Sequence, residues 1–230
     1  MVRAAAFFDI DDTLIQGSAG GYLVRYLYRQ RLVRLATLLR LGYYVVLYRL
    51  NRLQQREVYR WGYGLCGGRS VAQVKAILDE AFERYIRRRI YRDGLALLRH
   101  HREQGDLVVA ISGAPDYIVE RLCALLGIEH YIATKTPIVG DRVTRDVIEP
   151  ICYGAGKLRF AVEFARHHEI DLAASYFYSD SASDLPLLER VGHPIAVNPR
   201  RLLRRHAERR GWRILRFLEV ADGPGVARGA

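Results

Sequence analysis

Asp9 and Asp11 stand one residue apart in Phe7-Phe8-Asp9-Ile10-Asp11-Asp12-Thr13-Leu14, directly after an apolar run. Two carboxylates so placed can divide one reaction, one attacking an electrophile or binding a metal ion while the other moves a proton. Three further segments carry complementary chemistry. Ser112-Gly113-Ala114-Pro115 sets a hydroxyl and a backbone N–H ahead of a helix start, an arrangement suited to anions. Lys157 follows Gly154-Ala155-Gly156 and, with Lys75 and Lys135, is a rare lysine in a chain made basic by arginine. Asp180 and Asp184 follow the apolar and aromatic run Ser175 to Tyr178.

These side chains need a scaffold, and hydrophobic periodicity outlines one. Ala4 to Phe8 reads as a strand buried on both faces, which puts Asp9 and Asp11 at its C-terminal end, where open α/β sheets bind ligands. Strands are also predicted at Asp106 to Ile111, Ser175 to Tyr178, Pro194 to Val197 and Trp212 to Phe217. Residues 128–152 alternate and turn at Gly140-Asp141, as short strands do. Helices are predicted over Leu95 to Gln104, stopped by Gly105, and over Pro115 to Leu126, with Pro115 in the first turn. Others cover Lys157 to His168, 184–190 and Arg200 to Arg210. Strands alternating with helices specify an α/β fold with a mainly parallel, Rossmann-like sheet flanked by helices.

From Leu14-Ile15 to about Tyr91 the pattern turns helical. Gly20-Gly21 reads as a hinge, Tyr22 to Val58 as helical with one break near Gln30 or Gly42, and Trp61 to Gly68 as a glycine-rich loop. Ser70 opens another helix, with Gln73 completing a capping box, and Arg92-Asp93-Gly94 leads back to the sheet. The expected organisation is a catalytic core of residues 1–15 and 93–220, an inserted all-helical cap of 16–92, and a disordered Gly/Ala-rich tail at 221–230.

In their order and spacing the four segments resemble the motifs of the haloacid dehalogenase superfamily of aspartate-nucleophile phosphatases. The resemblance is closest to the phosphoserine phosphatase-like branch, whose helical cap is inserted soon after the first motif, and it extends to about residue 217. It implies a Mg²⁺-dependent phosphomonoester hydrolase working through an aspartyl-phosphate. Asp9 is then the nucleophile and a metal ligand, with Asp180 and the backbone carbonyl of Asp11 completing the protein's ligands. The Asp11 side chain protonates the leaving alkoxide and then activates water, reaching the same side as Asp9 along an extended segment. Ser112 and the Gly113 N–H hold phosphoryl oxygens, and Lys157 offsets charge on nucleophile and phosphoryl group. Thr13 braces the first loop, and Asp184 supports the metal's waters or Lys157.

The chain departs from the family pattern in three places. Asp12 stands where relatives have glycine or a small polar residue, a loop variation that adds negative charge beside the phosphate entrance. Ser179 stands where glycine is common. Gln16 to Tyr22 holds no acid, although phosphoserine phosphatases use one there to recognise the substrate's amino group. The expected substrate is therefore a small or amphipathic phosphomonoester. Alternatives are a phosphoserine phosphatase, a phosphotransferase of the same fold, or a noncatalytic basic protein that contacts anionic membrane or nucleic acid.

Bulk properties narrow the field. At 230 residues and 50% hydrophobic content, the chain can build one sizeable α/β unit plus an insertion and is not a disordered polymer. Cys66, Cys123 and Cys152 are odd in number and lack CxxC spacing, so they read as free thiols in a cytoplasmic protein with no cleaved leader. A net charge of +11 attracts anionic partners. Arg87 to Arg89 and the arginines of 200–210 read as solvated helix faces without specific nucleic-acid recognition. His100-His101 and His167-His168 read as helix-surface residues near turns and His130, His193 and His206 as isolated, all outside the chemistry. On a helical wheel Arg31, Arg34, Arg49, Arg52 and Arg56 share a face with Leu38, Leu41 and Val45, so the helix middle is apolar nearly all round. Burial in the cap or in a dimer, or peripheral membrane contact, would satisfy it. Leu35 to Tyr48, with Arg40 inside, is too short to span a bilayer. Oligomeric state is left open.

Overall fold

A computed structural model describes residues 3–49 and 55–221. The proposed tail beyond Ala221 lies outside the described residues, as does Arg52. Strand β1 (Ala5–Phe8) is wholly buried and central. Around it lie β2 (Leu107–Pro115), β3 (His130–Thr134), β6 (Tyr176–Ser179), β7 (His193–Val197) and β8 (Arg213–Leu215), in the order β3-β2-β1-β6-β7-β8. Every pairing in this sheet is parallel. The short strands β4 (Ile138–Val139) and β5 (Arg142–Val143) pair separately and antiparallel.

Alternation along the strands separates two apolar layers. Phe7, Val109, Ile111 and Phe177 face α7 (Ala155–His167), α8 (Leu185–Leu188) and α9 (Arg201–Arg210). Phe8, Ala110 and Tyr178 share the other layer with α5 (Arg92–Glu103) and α6 (Asp116–Leu126). That layer continues without a break into α1 (Ala19–Arg29) and α4 (Val71–Ala81), through Leu23, Leu27, Val74 and Leu78. Between these two helices come α2 (Leu35–Arg49) and α3 (Gln55–Tyr63). The predicted capping box is formed: Ser70 Oγ accepts from the Gln73 N–H, and the Gln73 side chain accepts from the Ser70 N–H. The three cysteines are buried free thiols, and burial pushes Cys123 and Cys152 up to about 12, which leaves them unreactive.

Several boundaries differ from expectation. Gly20 and Gly21 are not a hinge; they lie in the first turn of α1, whose start is capped by Ser18 accepting from the Gly21 N–H. Of the two expected break points the one near Gln30 is found, the helix ending after Arg29 with Arg31 at φ +55°, while Gly42 stays inside α2. The arginines of the wheel therefore do not share one continuous helix. Trp61 to Tyr63 still belong to α3, so the glycine-rich loop begins at Gly64. Pro115 ends β2 and caps α6 instead of occupying its first turn. Arg92, Asp93 and Gly94 form the first turn of α5 and not a linker to it.

His101 was expected on a helix surface and is 2% exposed. Its Nδ1 lies 2.7 Å from Asp106 Oδ2 and its Nε2 2.8 Å from the Tyr178 hydroxyl, beneath the stacked rings of Phe8 and Tyr178. The amphipathic face of α5 turns it inward. Burial lowers its pKa below 6.5, against the opposing pull of Asp106. The unfolded chain thus binds a proton here more readily than the folded one, so His101 contributes stability above pH 6.5 that is lost as pH falls through that value. Urea midpoints at pH 7.5 and 5.5 should show the loss, with the His101 ring titrating below 6.5 by NMR; a ring titrating above 6.5 contradicts it.

Candidate active site

Strand order reverses direction between β1 and β6, the switch point at which doubly wound sheets hold ligands beyond their carboxyl ends. Phe8 is in register with Tyr178, and the Asp9 N–H donates to the Tyr178 carbonyl at 2.9 Å. Asp9 and Asp180 therefore leave adjacent strands one residue out of step. Both are buried, at 7% and 3% exposure.

Lys157 joins the segments. It is the third residue of α7, and its Nζ donates to Asp9 Oδ1 and to Asp184 Oδ2, both at 2.7 Å. Gly156 permits this entry into the helix, because a Cβ there would collide with the Ile151 carbonyl. Asp184 Oδ2 also accepts from Ser179 Oγ at 2.7 Å, so this serine supports the acid holding the lysine. Burial raises the Asp9 carboxyl above the ordinary carboxylate range; Lys157 opposes this and Asp184 reinforces it. Lys157 is lowered by burial, but Asp184 and Asp9 outweigh that effect and keep it charged.

A cavity of about 320 Å³ brings together Asp9, Asp11, Ser112, Gly113, Lys157 and Asp184. Asp11 arrives by a different route from the one expected. The chain after Asp9 is not extended but turns, with the Thr13 and Leu14 N–H groups donating to the Ile10 carbonyl. The carboxylate of Asp11 is held at the start of α1, accepting from the Ala19 N–H at 2.9 Å and from Ser18 Oγ at 2.8 Å. Burial raises its pKa, with Ala19 and Ser18 opposing. Ser112 Oγ accepts from the Ala114 N–H at 3.1 Å. Thr13 does not line the cavity; it is fully buried with no hydrogen-bond partner for its hydroxyl among the described residues, so it fills the turn by packing.

Arg200 was read as part of a solvated face and instead closes one side of the cavity. Its guanidinium reaches Asp12 Oδ2 at 3.0 Å and Asp180 Oδ2 at 2.9 Å, offsetting the extra charge of Asp12. Its place after a strand's carboxyl end, behind Asn198-Pro199, is the signal that could have found it. Asp12 takes φ +54°, a left-handed conformation that glycine, Asn and Asp adopt most readily, and Oδ1 accepts from the Gly17 N–H. Tyr59 from α3 and Tyr153 also line the cavity, and no local sequence signal marks either.

The donors suit a hard divalent cation. Asp180 Oδ2 is buried with Arg200 Nε 2.9 Å away, and burial pushes this carboxyl up to about 6, with Arg200 opposing. Two carboxylates and one backbone carbonyl make a lean set, and among the described residues no three His, Cys, Asp or Glu side chains are gathered as a metal site. A larger cavity of about 920 Å³, lined by Arg34, Arg40, Arg60, Arg69 and Arg145, contains no such carboxylate–lysine arrangement.

Residues 6–189 match the family model described as haloacid dehalogenase-like hydrolase. The chain is 36% identical over 218 residues to the inhibition of morphological differentiation protein of Streptomyces azureus, covering 94% of this chain and 79% of that protein. It is 34% identical to a probable phosphatase of Mycobacterium tuberculosis, covering 94% of this chain and 76% of the relative. Among solved structures, a phospho-aspartyl intermediate analogue of phosphoserine phosphatase superposes with a TM-score of 0.68 over 94% of each chain, at 16% identity, a likeness of fold.

Proposed function

The chain belongs to the haloacid dehalogenase-like hydrolases, and from that membership we propose that it hydrolyses phosphate monoesters through a phosphorylated Asp9. The observation that carries this reading is Lys157 Nζ at 2.7 Å from both Asp9 and Asp184, in one cavity with Asp11 and Ser112. A phosphate monoester repels an anionic nucleophile, so the attacker must be held in line with its charge offset. Lys157 engages Asp9 Oδ1, which leaves Oδ2 to form the bond to phosphorus. As the ester P–O bond breaks, Asp11 gives its proton to the departing alkoxide, a role that its raised pKa favours. Asp11 then takes a proton from water, whose oxygen attacks the phosphorus, and inorganic phosphate leaves with Asp9 restored. Ser112 and Gly113 hold the phosphoryl oxygens. Asp9, Asp180 and the carbonyl of Asp11 would hold Mg²⁺, which supplies positive charge to the nucleophile and the phosphoryl group.

In this reading α1 to α4 form the cap, and Ser18, Gly20 and Tyr59 present it to the substrate. The Ser18 hydroxyl is committed to Asp11, and Gln16 to Tyr22 offers no carboxylate for an ammonium group. A small or amphipathic phosphomonoester fits better than phosphoserine. Phosphate release should be measured over a panel that includes phosphoserine, soluble sugar phosphates and lysophosphatidate. Release is expected with Mg²⁺, abolished by EDTA and restored by added Mg²⁺, with phosphoserine a poor substrate. No release from any ester would end the proposal.

A further inference from the structure

Helix α2 is apolar on two sides, and the fold uses one of them. Leu41 packs against the core, and Tyr44 lies 4.9 Å from the Trp61 ring of α3. On the opposite side Leu35, Leu39, Tyr43 and Val46 are 54%, 67%, 60% and 53% exposed. Spacings of four, four and three residues align them in one stripe along the helix. Just before the helix, Tyr28 and Leu32 are exposed as well.

The charge around this stripe has one sign. Between Asp12 and Glu57 the sequence holds eight arginines and no Asp or Glu. Arg29, Arg31 and Arg34 are exposed, and none forms an ion pair among the described residues. A second copy laid on the stripe would bring two such arginine sets together, a repulsive arrangement. A nucleic acid would use the arginines and leave the aliphatic stripe in water. An anionic lipid surface satisfies both: apolar side chains enter the acyl boundary, tyrosine sits at headgroup depth, and arginines meet phosphates. No described helix is long and apolar enough to cross a membrane, so α2 would lie on the surface.

We propose that α2 docks this protein onto anionic lipid bilayers, with Leu35, Leu39, Tyr43 and Val46 inserted and the neighbouring arginines on lipid phosphates. The inference is independent of the catalytic reading, since it concerns binding and not turnover. The full chain should be co-sedimented with vesicles of phosphatidylcholine alone and of phosphatidylcholine mixed with phosphatidylglycerol. Binding is expected on the mixed vesicles only and should weaken as salt is raised. Leu39→Glu/Tyr43→Glu should bind about tenfold more weakly or worse, with an unchanged circular dichroism spectrum. Arg29→Ala/Arg34→Ala, which leaves the stripe intact, should also lose about tenfold. The proposal is overturned by absence of binding to the mixed vesicles, or by undiminished binding of both variants. It is equally overturned by a solution dimer that Leu39→Glu/Tyr43→Glu converts to monomer.

Discussion

Asp9→Asn should lower phosphomonoester turnover by about 10³-fold or more, equivalent to roughly 4 kcal/mol of barrier, without loss of fold. The amide is nearly isosteric with the carboxylate but cannot attack phosphorus or hold a divalent cation as an anion does. Stability should survive because the carboxylate is itself costly where it stands: burial raises its pKa, and Lys157 keeps Asp184 as a partner in the variant. Steady-state phosphate release with Mg²⁺, alongside a urea unfolding midpoint, separates the two effects. Wild-type turnover in the variant removes Asp9 from the mechanism.

Lys157→Ala should have the larger structural effect. The side chain is 3% exposed and bridges two buried carboxylates. Removing one partner from a buried ion cluster leaves uncompensated charge, at a cost of about 3–5 kcal/mol. The cost should depend on pH in a defined direction. Without the lysine, which opposes the upward shift, the folded-state pKa of Asp9 rises further above its unfolded value. The stability of the variant is then fullest below the ordinary carboxylate range and falls as pH rises through it. The deficit relative to wild type should widen as pH rises through about 8, where Asp9 ionises in the wild type but not in the variant, as read from denaturant midpoints. A deficit that does not vary with pH would mean that Lys157 acts only by filling space. Turnover should fall as well, because the nucleophile loses its fixed counter-charge.

The strands and the residue types at their ends were legible because each depends on neighbours in sequence. A continuous apolar run followed by Asp9, or a second ending before Asp180, reports burial and a strand end together. Ser70 with Gln73 specified a helix start through its own hydrogen bonds. Reading failed where burial was conferred from elsewhere. His101 looked like the surface end of a polar helix until α5 packed on the sheet beside β2 and brought it to Tyr178 of β6. Arg200 looked like one arginine among many until the β7–α9 connection set it over Asp12 and Asp180. The placement of Asp11 was expected, but its cause was not: a turn and the start of α1 hold it, not an extended strand.

The sequence alone determined the alternation of elements and the residue types at the strand ends, since hydrophobic period and local chemistry are written within a few residues. The tertiary structure decided which of them act together. Lys157 meets Asp9 across 148 residues of chain, and Arg200 meets Asp12 across 188. Such pairs are made by parallel crossovers that bring distant strand ends to one edge of the sheet, and no local pattern encodes that closure. The same holds for the outer stripe of α2: its apolar residues are plain in the sequence, and only packing shows that nothing in the described chain covers them.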